Sequence, residues 1–337
     1  MSIVITGATG QLGKLVIDSL LDLGIAPEEL VAAGRNQEKL TAHYEPKGVR
    51  TAQIDFNDAA SLGAAFQTGD RVLLVSGTEL GRRVEQHVNV IKAARKAGVD
   101  QLVYTSAPKA DTTTLVLAPE HKATEEALIA SGVPYTILRN GWYSENYAAA
   151  LEQARHTGKV VASAGNGKVA SAARSDFAAA AATVLTTDGH HNAVYELTGD
   201  VAWDFEELAQ AIGSVLGREV TYEAVDPAQH LAILTGAGLD EQTAGFLVAL
   251  DGNIRDGELA SVTGDLSRLT GRPTVPLAEA LAPLAWSFGS RSRSSCGPRL
   301  PGPRGSQPEQ RTAELAADAL KLHGLRASAA SLRLGNP

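Results

Sequence analysis

Short, largely apolar runs alternate with helix-spaced apolar residues through the first half of the chain. Ile3–Thr6, Leu30–Gly34, Thr51–Phe56, Arg71–Ser76, Gln101–Ser106 and Tyr135–Arg139 read as strands. Between them, Leu12, Leu15, Val16, Ile17, Leu20 and Leu21 recur at helical spacing, and Ala59–Phe66, Val84–Ala97 and Glu120–Ala130 carry helical patterns too. Such strands with short connections call for a parallel sheet covered by helices on both faces. Right-handed crossovers then give a doubly wound α/β sheet in the order 3-2-1-4-5-6, with ligands beyond the C-terminal strand ends. From Trp142 the pattern loosens into helix, glycine-rich turn and helix. "NAVYELTGD" reads as a further strand, and "WDFEELAQAIGSVLGREVTYEAV" as a helix capped near Asp204 followed by a strand. The predicted organisation is a nucleotide-binding domain over residues 1–141 and a smaller C-terminal α/β substrate lobe over 142–286, with part of 174–200 returning to the sheet.

Composition changes this picture in one place. Residues 287–337 are rich in Ser, Gly, Pro and Arg, with eight Lys/Arg against three Asp/Glu and no periodicity, and read as a disordered or artefactual tail. The whole chain of 337 residues has a net charge of -8, which opposes a nucleic-acid surface. No apolar run is long enough to span a membrane, and no basic leader precedes the first strand. A single cysteine, Cys296, excludes an intramolecular disulfide and fits a reducing compartment. The expectation is a cytoplasmic enzyme, with homodimerisation through outer helices an open possibility.

The candidate chemistry begins at "TGATGQLG". Gly7, Gly10 and Gly13 lie between a strand and a helix, the context in which glycines cradle a pyrophosphate. One permits the tight turn, one lets backbone approach the phosphates, and one lets helix and strand pack closely, as in a Rossmann domain. Ala8, Thr9, Gln11 and Leu12 fall within the same cradle. Arg35 ends the second strand where an NAD site would carry an acid, which favours the 2′-phosphate of NADPH. Asp55 and Phe56 would flank the adenine, and Val75, Ser76 and Gly77 stand at the end of the fourth strand. Histidines are scattered, and His190 with His191 cannot fill a tetrahedral metal site.

"TGATGQLG" with "GRN", and above all "RNGWYSENY", "GNGKVASAARSDFAAAAA" and "GHHNAVYELTGD", resemble NmrA-like atypical short-chain dehydrogenase/reductases. Within them the likeness is to bacterial NADPH-dependent quinone and triphenylmethane dye reductases, and it runs from Met1 to about Trp286. The resemblance implies NADPH bound between two lobes and hydride transfer to a quinone. No tyrosine has a lysine four residues on, so ketone chemistry by the usual tyrosine–lysine pair is not expected. Asn140, Trp142 and Tyr143 are the catalytic candidates, Asn140 as a hydrogen-bonding group and the two aromatics as a flat pocket. Asn140, Gly141, Trp142, Tyr143 and Arg174 complete the cofactor-binding set. Tyr147 reads as packing, and His121-Lys122 as a solvated helix face. No metal is expected. A non-catalytic NADP(H) sensor, or a reductase of dyes or nitroaromatics, stands as the alternative.

Overall fold

The computed structural model of the chain describes residues 1–289. Its strands are β1 (Ile3–Ile5), β2 (Leu30–Gly34), β3 (Arg50–Gln53), β4 (Arg71–Leu74), β5 (Gln101–Ser106), β6 (Tyr135–Asn140), β7 (Lys159–Ala162), β8 (Ala193–Leu197) and β9 (Thr221–Ala224). Seven of them form one parallel sheet in the order β3-β2-β1-β4-β5-β6-β8, so the expected order holds and β8 extends it beyond β6. β7 and β9 pair separately, also in parallel. β3 and β4 stop two to three residues before the expected ends because side-chain hydroxyls replace the ladder there. Val75 N–H donates to Thr6 Oγ1 (3.0 Å), and Ser76 N–H to Thr105 Oγ1 (2.9 Å).

Alternation along the strands sorts the two faces. Ile3, Ile5, Leu73, Val103 and Leu138 join one core with Val16, Ile17 and Leu20 of the helix Gln11–Asp22 and Phe177 and Ala181 of the helix Arg174–Thr186. Val4, Val72, Leu74, Leu102 and Ile137 join the other with Val90 and Ile91 of the helix Arg83–Ala97 and Leu128 of the helix Ala118–Ser131. A third core, with Tyr147, Leu151, Trp203, Phe205, Ile212, Ile254 and Leu281, holds the smaller lobe. Asp204 caps the helix Phe205–Leu216 in a reciprocal capping box with Glu207. The chain leaves the sheet after Asn140, returns with the helix Arg174–Thr186 and β8, leaves again, and returns once more with Leu266 of the helix Asp265–Thr270. The helix Leu277–Gly289 then runs three residues past the expected boundary at 286. The basic tail, including Cys296, otherwise lies outside the described residues.

A polar seam lies between the helices Arg83–Ala97 and Ala118–Ser131. His87, fully buried, accepts from Gly77 N–H at Nε2 (2.9 Å) and contacts Thr124 Oγ1 through Nδ1 (3.1 Å). Thr124 itself donates to the Glu120 carbonyl (2.8 Å), so Nδ1 carries the imidazole proton. Arg83, buried, donates to the Gly77 carbonyl (2.8 Å) and to Glu120 (2.9 Å), while Glu120 also accepts from Gly81 N–H (2.7 Å). Tyr104 and His121 bond at 2.8 Å beneath them. His121 is therefore buried rather than on a solvated face; only Lys122 is exposed. The seam anchors both ends of the turn that follows β4.

Two outcomes follow from this packing. A Cβ on Gly13 would lie 2.5 Å from the Gly7 carbonyl oxygen, whereas one on Gly63, within the helix Ala59–Ala65, meets nothing within 4 Å. Gly13→Ala should therefore destabilise the fold by about 1–3 kcal/mol, and Gly63→Ala should stabilise it by about 0.5–1 kcal/mol, both read by urea unfolding. Burial, reinforced by Arg83, pushes His87 down to about 3 from 6.5. The unfolded chain thus takes up a proton below pH 6.5 that the folded chain refuses, so stability is full above that pH and falls as pH drops. Unfolding free energy should fall between pH 6.5 and 5 by up to about 1.4 kcal/mol per pH unit from this residue. His87→Gln, which keeps an acceptor for Gly77, should remove that part of the slope.

Candidate active site at the carboxyl edge of the sheet

Gly7 turns the chain at φ +61°, a left-handed conformation that favours glycine. Its carbonyl accepts from Gly10 N–H (2.8 Å), and the 2.5 Å approach at Gly13 seats the helix Gln11–Asp22 directly on the turn. Gly10 caps that helix with no side-chain acceptor, and its first turn carries no acid, so its N-terminus suits an anion. Gly10 and Gln11 are exposed and Thr9 is half-buried; Ala8 and Leu12 are buried in the core, and Ala8 N–H is spent on the Ala33 carbonyl (3.0 Å). The cradle a pyrophosphate needs is therefore made of backbone.

At the end of β2, Arg35 is exposed and pairs with Glu79 (2.7 Å) across the sheet edge. Glu79 also accepts from Gln86 (3.0 Å). Asp55 Oδ1 collects both nitrogens of Asn57 at 2.8 Å, and the backbone bond, with Arg35 and Arg82 nearby, holds its carboxyl below the usual range despite partial burial. Phe56 is part-buried, packs on the core that holds Val4 and Val72, and its ring centre stands 6.3 Å from that of His87. Val75 and Ser76 are tied to β1 and β5 as described, and both polar groups of the Gly77 backbone are taken by His87 and Arg83. Gly77 thus shapes the rim without offering a donor.

The densest constellation is at the end of β6. Asn140 is buried; its Nδ2 donates to the Tyr143 hydroxyl (3.1 Å), and its Oδ1 has no partner among the described residues. The Tyr143 ring packs edge-on against Phe177 (5.0 Å), and the Arg174 guanidinium stacks over it at 4.7 Å. Burial pushes the Tyr143 hydroxyl up, against the opposing pull of Asn140 and Arg174. Arg174 is itself buried: its backbone N–H meets Glu145 (2.9 Å) and its side chain meets Asn146 (3.0 Å). Burial pulls the Arg174 guanidinium down, opposed by Glu145. Gly141 lies so near Leu197 that a Cβ would stand 2.8 Å from its carbonyl oxygen. Trp142 is part-buried against the smaller lobe, and Tyr147 packs on Trp203 and Phe205 at 4.9 and 6.1 Å, as packing residues do.

Residues outside the expected set complete the edge. Arg139 is bound by Glu125 (2.6 and 3.0 Å), Glu196 (2.9 Å) and Asp111 (2.9 Å). Burial works against its charge, yet the bonds to Glu125 and Glu196 hold the guanidinium above its usual range. Glu196 also accepts from Lys109 N–H (3.1 Å), and a small cleft beside Gly141 and Trp142 is lined by Lys109, Glu196, Glu258 and Ser261. The buried histidines left one legible signal. His87 shares its helix stripe with Val90, Ile91 and Ala94, and His121 with Thr124, Glu125 and Leu128, the spacing of an inward face. Glu79, Lys109 and Glu258 left none.

Among the described residues no cluster of His, Cys, Asp or Glu could hold a metal ion. Residues 7–188 match the family profile described as NAD(P)H-binding. The chain is 45% identical to quinone oxidoreductase 2 of Escherichia coli over 282 residues, 84% of this chain and 98% of that protein. It superposes with a TM-score of 0.79 and 44% identity on an Escherichia coli crystal structure of an NADPH-dependent quinone oxidoreductase complexed with NADPH, covering 85% of this chain and 99% of that one. A triphenylmethane reductase of Citrobacter sp. matches with a TM-score of 0.80 and 37% identity over 84% of this chain and 99% of that one. The glycine cradle, the doubly wound parallel sheet and these likenesses agree: the chain belongs to the NAD(P)H-binding family, among the NmrA-like atypical short-chain dehydrogenase/reductases.

Proposed function

We propose that the chain is an NADPH-dependent reductase that passes hydride directly to a quinone without a flavin. The observation that carries this reading is the buried Asn140 oxygen without a partner among the described residues. A buried acceptor left unpaired is costly, and an amide donor brought to it would relieve the cost. As oriented it suits the carboxamide of a nicotinamide rather than a quinone oxygen. NADPH, when bound, supplies the hydride. Gly7, Gly10 and Gly13 would admit its pyrophosphate to the helix N-terminus, with Ala8, Thr9, Gln11 and Leu12 completing the cradle. Arg35 would hold the 2′-phosphate in place of Glu79, and Asp55 and Phe56 would border the adenine. Val75, Ser76, Gly77 and Gly141 would shape the walls, and Arg174 would keep the Tyr143 ring in position. Trp142 would lie against a flat acceptor.

Aromatisation drives quinone reduction, so positioning contributes more than a dedicated acid. Tyr143, with its hydroxyl pushed up and bound by Asn140, suits the role of an orienting group. The 45% identity to a quinone oxidoreductase over nearly its whole length favours an enzyme over a sensor. On this reading residues 1–141 hold the cofactor, and residues 142–286 mainly the acceptor. On the same reading the protein acts in the cytoplasm on a small molecule, with neither nucleic acid nor membrane as partner. Among the described residues no helix is long and apolar enough to cross a membrane.

Arg35→Ala should weaken NADPH binding about 10-fold or more, the worth of a charge-assisted contact, while leaving NADH binding nearly unchanged. Fluorescence titration with each cofactor decides it, and equal losses reject the phosphate role. Asn140→Ala should lower kcat/KM for 1,4-benzoquinone by about 10-fold through loss of one oriented hydrogen bond. Unchanged turnover would remove Asn140 from the site.

A further inference from the structure

Lys109 is one of two non-glycine residues with positive φ (47°) among the described residues, a conformation that costs free energy and persists only where surroundings impose it. Here the surroundings are explicit. Its backbone N–H is held by both Glu196 oxygens (3.1 and 3.2 Å), and Glu196 is held in turn by Arg139 (2.9 Å). The side chain is thereby aimed at the cleft beside Gly141 and Trp142, where its ammonium meets a neutral partner, the Ser261 hydroxyl (2.6 Å). Among the described residues that line this cleft, Lys109 is the only cation, facing the carboxylates of Glu196 and Glu258. Glu258 is fixed by the hydroxyls of Thr113 (2.5 Å) and Thr114 (3.0 Å). Without Lys109 the charged lining would be carboxylate alone.

We propose that Lys109 makes this cleft select acceptors by charge, favouring neutral quinones and disfavouring cationic dyes. The inference rests on the reading of the chain as a quinone reductase. A quinone that accepts a hydride from NADPH becomes a hydroquinone monoanion, which then takes a proton from solvent; NADPH leaves as NADP⁺. A triphenylmethane cation that accepts the same hydride becomes a neutral leuco compound, with no proton needed. Negative charge therefore develops on the quinone in its transition state, whereas the dye still carries part of its positive charge in its own. A fixed ammonium stabilises the first and repels the second. The parameter that reports both is kcat/KM, which compares each transition state with free enzyme and free acceptor.

The test measures kcat/KM for 1,4-benzoquinone and for crystal violet at saturating NADPH, using the full chain, Lys109→Gln and Lys109→Arg. Lys109→Gln should lower the quinone value by about 10-fold and raise the dye value by a similar factor, as expected for loss of one nearby charge. Lys109→Arg should keep the wild-type order, and the NADPH dissociation constant should not move in either variant. A merely structural role would lower both activities together; that result, or no change in either, overturns the proposal. Direct titration of crystal violet into each NADP⁺-saturated protein adds a readout independent of turnover, and Lys109→Gln should bind the dye about 10-fold more tightly. If the wild-type chain reduced no quinone, the reading of its function would fall. Equal dye affinity in wild type and Lys109→Gln would overturn the role of Lys109 separately.

Discussion

A buried guanidinium at the end of β6 organises the carboxyl edge of the sheet. Arg139 cannot leave its charge unpaired in a site from which water is largely excluded, so the chain must bring carboxylates to it. It does so from three directions: Glu125 from the helix Ala118–Ser131, Asp111 from the loop after β5, and Glu196 from β8. Glu125 then holds Ser106 (2.5 Å), and Glu196 holds Lys109. One ion cluster thus sets the seventh strand beside the sixth, fixes the loop after β5 and aims a side chain at the cleft. Its contribution is positional more than energetic, since the cost of burying Arg139 and Glu125 roughly cancels the attraction gained between them.

The cofactor half depends on a different constraint, the contact between backbone atoms at Gly7 and Gly13. No side chain can stand between the turn and the helix, which leaves room for phosphate and explains why the cradle is made of peptide groups. The seam of Arg83, His87 and Glu120 does the corresponding work at the end of β4, by tying down both polar groups of Gly77. The two halves meet at Asn140, whose position in sequence ends the sixth strand and whose side chain links the sheet to Tyr143.

Much of this was legible in the chain. The strand–glycine–helix context marked the tight turn at Gly7 and the seating of the first helix on it, and the strand order followed from crossover handedness. Asp204 was recognisable as a cap, and the structure adds its reciprocal bond with Glu207. What sequence reasoning missed depends on pairs far apart along the chain. Arg35 and Glu79 are 44 residues apart, Lys109 and Glu196 are 87, and Lys109 and Ser261 are 152. No local period encodes such partners. His121 was misread for the opposite reason: its neighbour Lys122 is polar and exposed, yet the residues at helical spacing from it face inward.

The path of the chain between its two parts bears on how a ligand gets in. The backbone passes between the sheet and the smaller-lobe core repeatedly: Leu115 and Ala118 join that core between β5 and β6, and the chain then runs outward after Asn140, inward before Arg174, outward after Leu197, inward before Leu266 and outward again before Leu281. A single connection acts as a hinge, whereas several tie two parts together, because rotation about any one of them strains the others. Wide clamshell opening would therefore strain several connections at once, which directs ligand entry toward small sliding of packed segments. The loop after β5 is part of that restraint, since Lys109, Thr113 and Thr114 bond Ser261 and Glu258 through their side chains.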